Sequence, residues 1–165
     1  MTRDIDFATC DLCDAHAAEP GLRVLPPAFK SYGGWLSFCG PVSTVKCFED
    51  NSVVKAAVDS PGQGRVLVVD GGGSLRRALL GGNLAAAAAR NGWAGVLIDG
   101  AVRDVVELAA CSVGVLALAC IPLPTVKRNV GERDVAVHVQ GVPVLPGDWL
   151  FADADGVLVA PRDLR

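Results

Sequence analysis

The chain has 165 residues, 51% of them hydrophobic and 20% charged, which is enough apolar material for one domain, 1–165, with a substantial core. A net charge of −3, a pI of about 5.3 and 5% aromatic residues argue against a direct nucleic-acid binder that works by phosphate neutralisation. No apolar run reaches the ~20 residues of a membrane span; the nearest, Cys111 to Leu123, is short and carries Gly114 and Pro122.

In chain order, Phe7 to Ala18 reads as a short helix stopped by Pro20-Gly21, and Pro26-Pro27 forces an extended stretch. Gly33 to Gly40 and Val42 to Phe48 read as two strands around a Gly40-Pro41 break. Asp50-Asn51 caps a predicted helix that runs to Val58 and stops at Pro61-Gly62. Arg65 to Asp70 is a continuous apolar strand of the kind buried on both faces. Gly71-Gly72-Gly73-Ser74 is a loop, followed by a predicted helical turn to Leu80. Asn83 to Asn91 is helix with Gly92 as its stop, Ala94 to Ile98 strand, Val102 to Cys111 helix and Gly114 to Ala119 strand. Pro122 to Arg133 is a polar loop. Asp134 to Gln140 and Val142 to Leu145 form a predicted hairpin around Gly141. Trp149 to Phe151 and Gly156 to Ala160 close the chain as strands joined by Asp153-Ala154-Asp155. The middle thus alternates β-α-β-α-β between β-rich ends, which implies a mixed α/β sandwich or barrel.

Six irregularly spaced cysteines (Cys10, Cys13, Cys39, Cys47, Cys111, Cys120) and an N-terminus that does not read as a secretory signal suggest reduced thiols and a cytoplasmic protein. The mean hydropathy of +0.38 and the long Val/Leu/Ala runs suggest more apolar surface than one small domain buries. A homo-oligomer follows, with a monomer built on a large core as the alternative.

The chemistry concentrates in one helix–strand unit. Gly81-Gly82-Asn83-Leu84 opens the alanine-rich helix, and Arg103-Asp104-Val105-Val106-Glu107 follows the next strand. In an open α/β layer both lie at the same sheet edge, where ligands bind. Asp104 and Glu107 share a helix face at a spacing of three, and two carboxylates can anchor a hard divalent cation that keeps several waters. The planar fork of Arg103 can clamp a carboxylate or a developing enolate oxygen. Two glycines admit a ligand to the backbone, and amides at a helix start bind anions. Taken singly, these features also suit a solvated first turn, in which acidic residues favour the helix dipole, and a loop capped by Asn83.

Gly82, twenty intervening residues, Arg103-Asp104, two more and Glu107 form a spacing that resembles the signature of the RraA-like family. That family includes regulators of ribonuclease E activity and the class II 4-hydroxy-4-methyl-2-oxoglutarate aldolases. The resemblance extends through Ser37 to Lys46, Gly131-Glu132-Arg133-Asp134, Pro146-Gly147-Asp148 and Asp155-Gly156-Val157. It implies an α/β/β/α sandwich-barrel of the phosphohistidine-swivelling type, assembled as a homotrimer with its site between subunits. Some relatives carry Asp where this chain has Gly82; those with Gly have an acidic residue at the position of Glu107. Regulators without aldolase function tend to lose the Asp of Arg-Asp, which this chain keeps as Asp104.

The implied activity is that of a carbon–carbon lyase. A divalent metal, Mg2+ or Mn2+, at Asp104, with Glu107 as a direct or water-mediated ligand, chelates the α-keto acid and acts as a Lewis acid. Arg103 stabilises the pyruvate enolate, and the amides of Gly81, Gly82, Asn83 and Leu84 hold a substrate carboxylate. A metal-ordered water or an acidic side chain takes the C4 hydroxyl proton. Oxaloacetate decarboxylation through the same enolate is the expected side activity. The alternative function is regulation of ribonuclease E by protein–protein binding.

Other signals carry less. Cys10-x-x-Cys13-x-x-His16 has no second ligand pair at zinc spacing and reads as helix packing. Val66 to Gly73 faintly resembles a nucleotide or S-adenosylmethionine loop, but the glycine pattern is incomplete and Asp70 precedes it. His138 reads as structural and Lys127-Arg128 as a solvated loop.

Overall fold

The structure is a computed structural model that describes residues 5–165. The chain runs α1 (Thr9–Ala15), β1 (Arg23–Val24), β2 (Lys30–Ser31), β3 (Phe38–Lys46), α2 (Ser52–Val58), β4 (Val66–Asp70), β5 (Ala78–Leu80), α3 (Gly82–Arg90), β6 (Gly95–Val102), α4 (Val105–Ala110) and β7 (Gly114–Cys120). It closes with β8 (Glu132–Arg133), β9 (Val137–Val139), β10 (Val142–Val144), β11 (Trp149–Ala152) and β12 (Val157–Ala160).

The strands β3, β4, β6 and β7 are parallel neighbours, each reached from the last by a crossover that carries a helix. Beyond β3 the sheet continues antiparallel through β11, β12 and β1. β2 pairs with β7 at the far edge. The segment from Arg23 to Ser31 therefore supplies both edges of the sheet, and Pro26-Pro27 bridges the gap between them.

Three apolar clusters set the layers. One face of the parallel strands (Leu67, Val69, Val96, Ile98, Val115) packs on α2, α3 and α4 through Val54, Ala85 and Leu108. The other face (Val66, Val68, Leu97) meets β11, β12 and the β9–β10 hairpin through Leu150, Val159 and Val137. α1 covers the outer side of β11 and β12 through Leu12, Phe151 and Leu158. At the base of β6 and β7 the paired glycines Gly95 and Gly114 make room for the Phe38 ring: a Cβ on either would fall 2.3 or 2.0 Å from it.

Four sequence expectations are corrected. β3 is one strand, not two: Pro41 sits where the chain leaves the antiparallel ladder with β11 and enters the parallel one with β4 at Val42, so its missing N–H costs little. Leu75 to Leu80 does not form a helical turn. Ala78–Leu80 is a buried strand parallel to β6, and tertiary pairing overrides a composition that favours helix. β6 runs on to Val102, and α4 starts only at Val105. The first helix is the single pair of turns Thr9–Ala15 rather than the longer stretch to Ala18. The hairpin at Gly141 forms as expected, with Gln140 (φ 48) and Gly141 (φ 79) as a two-residue turn with both φ positive. None of the six cysteines forms a disulfide, and no helix among the described residues is long and apolar enough to cross a membrane.

Candidate functional site

The twenty-residue spacing has a topological cause. β5 and β6 are parallel and in register at Leu80 and Val102, so α3 and β6 carry the chain away from Gly81 and back beside it. The Arg103 amide donates to the Leu80 carbonyl at 2.9 Å. Gly81 then becomes the N-cap of α3 and Asp104 the N-cap of α4, side by side at the ends of two paired strands.

Asp104 and Glu107 occupy the N-cap and third position of α4, the pattern of a capping box. The Asp104 side chain does not cap its own helix. Its Oδ2 accepts the Gly82 amide of α3 at 3.0 Å instead. A Cβ on Gly82 would lie 1.8 Å from Glu107 Oε2, and one on Gly81 2.5 Å from Asp104 Oδ2. Both carboxylates thus reach across to the start of α3, and the two glycines leave the space they fill. Because the helix starts at Val105, the two acids do not share a helix face; they converge on the Gly81–Gly82 backbone from a cap and from a first turn. Asp104 holds a left-handed backbone (φ 58, ψ 45), a conformation costing a non-glycine residue about 1 kcal/mol and concentrated at functional sites. The Arg103 guanidinium stands 3.7 Å from Asp104 Oδ2, with both side chains about two-fifths exposed.

Arg103 and Asp104, though not Glu107, open onto a cleft of about 190 Å³. Gly81, Asn83, Leu84, Arg103 and Asp104 form one wall; Asn51, the N-cap of α2, and Lys55 within α2, with Pro124, Thr125 and Lys127, form the other. Of the expected substrate-binding residues, Gly82 is buried behind this wall with its amide committed to Asp104. The amides of Asn83 and Leu84, in the first turn of a nine-residue helix, have no acceptor within it and are placed to meet an anion. Three cations against one cleft-lining carboxylate also favour an anionic ligand. Lys55 is tied to Asp59 one turn on.

Two hard oxygen donors, with no third His, Cys, Asp or Glu grouped beside them among the described residues, match a cation that fills its shell with water and ligand oxygens. The donor set fits Mg2+ or Mn2+ and lacks the nitrogen and sulfur donors usual for structural zinc. Nearby, burial and then the Glu107 charge push the Cys111 thiol up. Burial, with Asp50 and Asp70 adding to it, pushes Cys47 up to about 12, so neither is a ready nucleophile.

The weaker signals resolve structurally. His16 Nε2 pairs with the Leu164 carbonyl at 2.9 Å, and α1 packs on the core through Leu12 and Cys13. Asp70 at the glycine-rich loop accepts the amides of Gly72 and His138, so it pins the hairpin. His138 contributes its backbone to that contact and leaves its side chain exposed. Lys127, read as solvated loop, lies on the cleft wall. With Asn51, Lys55 and Thr125 it was beyond the reach of motif spacing, since contacts across about 70 residues assemble that wall.

A model of the RraA-like family, described as Aldolase/RraA, matches residues 9–159. The chain belongs to the RraA-like family. Among RraA-like relatives, a protein of Albidiferax ferrireducens named "Putative 4-hydroxy-4-methyl-2-oxoglutarate aldolase" is 66% identical, over 93% of this chain and 95% of its own. One of Cupriavidus necator with the same name is 54% identical, over 94% and 96%. The solved structure of the RNA-processing inhibitor RraA from Thermus thermophilis superposes with a TM-score of 0.90 at 50% identity, over 96% of this chain and 94% of that one. A Geobacillus kaustophilus structure named S-adenosylmethionine: 2-dimethylmenaquinone methyltransferase gives 0.92 at 47% identity, over 96% and 97%. The mixed α/β fold is therefore that of RraA structures.

Proposed function

We propose that this chain is a divalent-metal-dependent class II aldolase that cleaves 4-hydroxy-4-methyl-2-oxoglutarate to pyruvate, with oxaloacetate decarboxylation as a side activity. The observation that carries the reading is the convergence of Asp104, Glu107 and Arg103 on the Gly81–Gly82 backbone, with Arg103 and Asp104 lining an anion-favouring cleft. The names of the Albidiferax and Cupriavidus relatives support it.

Asp104 and Glu107 would hold Mg2+ or Mn2+, which when bound supplies Lewis-acid polarisation of the substrate keto oxygen. The Asn83 and Leu84 amides bind the carboxylate next to the keto group and fix its orientation. A water or an acidic side chain takes the C4 hydroxyl proton, and that oxygen forms the carbonyl of one pyruvate. The C3–C4 electron pair moves into the enolate, which takes a proton at C3 to give the second pyruvate. Arg103 faces the enolate oxygen on which negative charge grows. Loss of CO2 from oxaloacetate delivers the same enolate, so the same guanidinium serves both reactions. Gly81 and Gly82 keep the backbone bare, so nothing displaces the two carboxylates.

The assembly belongs to this proposal. Exposed Val106 (83%), Val126 (58%) and Val130 (62%) lie on α4 and on the cleft-lining loop. Such surface favours burial against a neighbouring copy that closes the cleft; that the assembly is a homotrimer in the cytoplasm is carried over from the family resemblance.

The test is pyruvate release from 4-hydroxy-4-methyl-2-oxoglutarate and from oxaloacetate with Mg2+ or Mn2+ and with EDTA. Release that EDTA abolishes and Asp104→Ala removes is expected; no release with either metal overturns the enzyme reading. A second reading, regulation of ribonuclease E by protein binding, is favoured by the likeness to the RNA-processing inhibitor from Thermus thermophilis. It predicts co-purification with the endoribonuclease that survives Asp104→Ala.

A further inference from the structure

Asp50 is fully buried immediately before α2, and no ion pair reaches it among the described residues. Four hydrogen bonds satisfy it. Oδ1 accepts the Ser52 amide at 2.9 Å and the Ser52 hydroxyl at 2.6 Å. Oδ2 accepts the amides of Arg128 at 2.8 Å and Val130 at 3.1 Å. The Ser52 hydroxyl oxygen in turn accepts the Asn129 amide at 3.2 Å. One carboxylate and one hydroxyl thus hold three consecutive amides of the segment between β7 and β8. Burial alone would raise the Asp50 carboxyl, but the bonds from Ser52, Val130 and Arg128 outweigh it and hold it at about 2.

That segment carries part of the cleft wall and has little else to fix it. Leu123, Val126 and Val130 are exposed in the single chain, so apolar burial within the chain does not seat it. Its first half is tied at Leu123 to the Ala78 amide (2.8 Å), at Pro124 to Arg77 (2.9 Å) and at Thr125 to Asn51 (2.8 Å). Lys127 lies just beyond those ties and just before Arg128, so Asp50 is the anchor on its other side. Lys127 has no carboxylate partner among the described residues, whereas Lys55 on the same wall is paired with Asp59.

We propose that Asp50 is a positioning residue of the cleft: through residues 128–130 it fixes Lys127 opposite the start of α3, where Lys127 selects keto acids bearing a second carboxylate. The proposal rests on the keto-acid reading above. It assigns the carboxylate beside the keto group to the Asn83–Leu84 end and the distal one to Lys127, across the cleft.

The matched probes are 2-oxoglutarate and 2-oxopentanoate, which share chain length and differ in the distal carboxylate. Their dissociation constants are measured by titration calorimetry on the full chain with Mg2+, at fixed ionic strength. Wild type is expected to favour 2-oxoglutarate by about tenfold, the worth of one charge-assisted hydrogen bond. Asp50→Asn and Lys127→Ala should each erase most of that preference and leave 2-oxopentanoate binding within about twofold of wild type. The double variant should lose no more than Lys127→Ala alone, because the two residues act in series. Hydrogen exchange at residues 128–130 should quicken in Asp50→Asn without ligand. Asp50→Glu, which restores the charge, should recover part of the preference. Equal weakening of both ligands in Asp50→Asn, or additive losses in the double variant, overturns the positioning role. Wild-type binding without preference overturns the assignment of Lys127 while leaving the keto-acid reading standing. Binding of neither probe overturns both.

Discussion

In Gly82→Ala the added methyl group would lie 1.8 Å from Glu107 Oε2, 2.8 Å from its Cδ and 2.9 Å from its Cβ. Carbon and oxygen approach no closer than ~3.3 Å in ordinary contacts, so the carboxylate must retreat by roughly 1.5 Å. The carboxylate end swings away cheaply, but the close Cβ is fixed to α4, so α3 and α4 must also part slightly. Overpacking of this kind costs about 1–3 kcal/mol, and alanine in place of glycine in a helix returns about 1 kcal/mol. The net loss of up to ~2 kcal/mol corresponds to a fall in Tm of no more than about 8 °C. Loss of Glu107 from the site should weaken Mn2+ binding by tenfold or more, on the order of what supporting contacts contribute at metal sites. Calorimetric melting and a Mn2+ titration read the two effects separately. In Gly82→Ala/Glu107→Ala the clash is gone, so Tm should return to or above the wild-type value while metal binding stays weak. A Gly82→Ala protein with a raised Tm and unchanged Mn2+ affinity would refute the placement of Glu107 over Gly82.

Arg103→Ala should lower pyruvate release by about 10²–10³-fold with assembly state unchanged on size-exclusion chromatography; a wild-type rate would sink the proposed role. Gly81→Ala, whose Cβ would meet Asp104 Oδ2 at 2.5 Å, should also weaken Mn2+ binding, read by the same titration. Asp50 titrates lower in the folded chain than its ordinary value of 3.8, so it stabilises the fold above that pH and loses this contribution as pH falls toward about 2. Acid titration of Asp50→Asn should accordingly show a shallower stability loss below pH 4 than wild type. Phe38→Ala should cost about 3–5 kcal/mol, because glycines at 95 and 114 leave its ring pocket unfilled; a denaturant midpoint near wild type would contradict that packing.

Much of this molecule is legible from local pattern. The apolar runs of β4, β6 and β7, the alanine-rich α3 and the Gln140-Gly141 turn each carry their own period or turn chemistry. Leu75 to Leu80 misleads because its residues favour helix and only the extension of β6 makes a strand of them. The Gly40-Pro41 pair looks like a break because sequence does not reveal that the ladder changes partner at that residue. At the site, Gly81 to Leu84, Arg103, Asp104 and Glu107 are visible as a spacing, because one helix and one strand separate them. Their convergence is not, since it depends on Asp104 forgoing its own helix cap for the Gly82 amide. The opposite wall is invisible locally. Asp50 reads as a helix cap, and nothing near it announces the three amides 78 to 80 positions away that it and Ser52 gather.

The short stretch from Arg23 to Ser31 gives the sheet both its first and its last strand. An open sheet ends in two rows of unpaired amides and carbonyls that recruit other chains. Here both rows are borne by one nine-residue ribbon, each only two residues long, with prolines between them. The ribbon works as a clasp, and its severing would expose the longer strands β12 and β7 together. A protease cut at Pro26-Pro27 should therefore convert a well-behaved chain into one prone to strand exchange and aggregation, with no residue of the cleft touched.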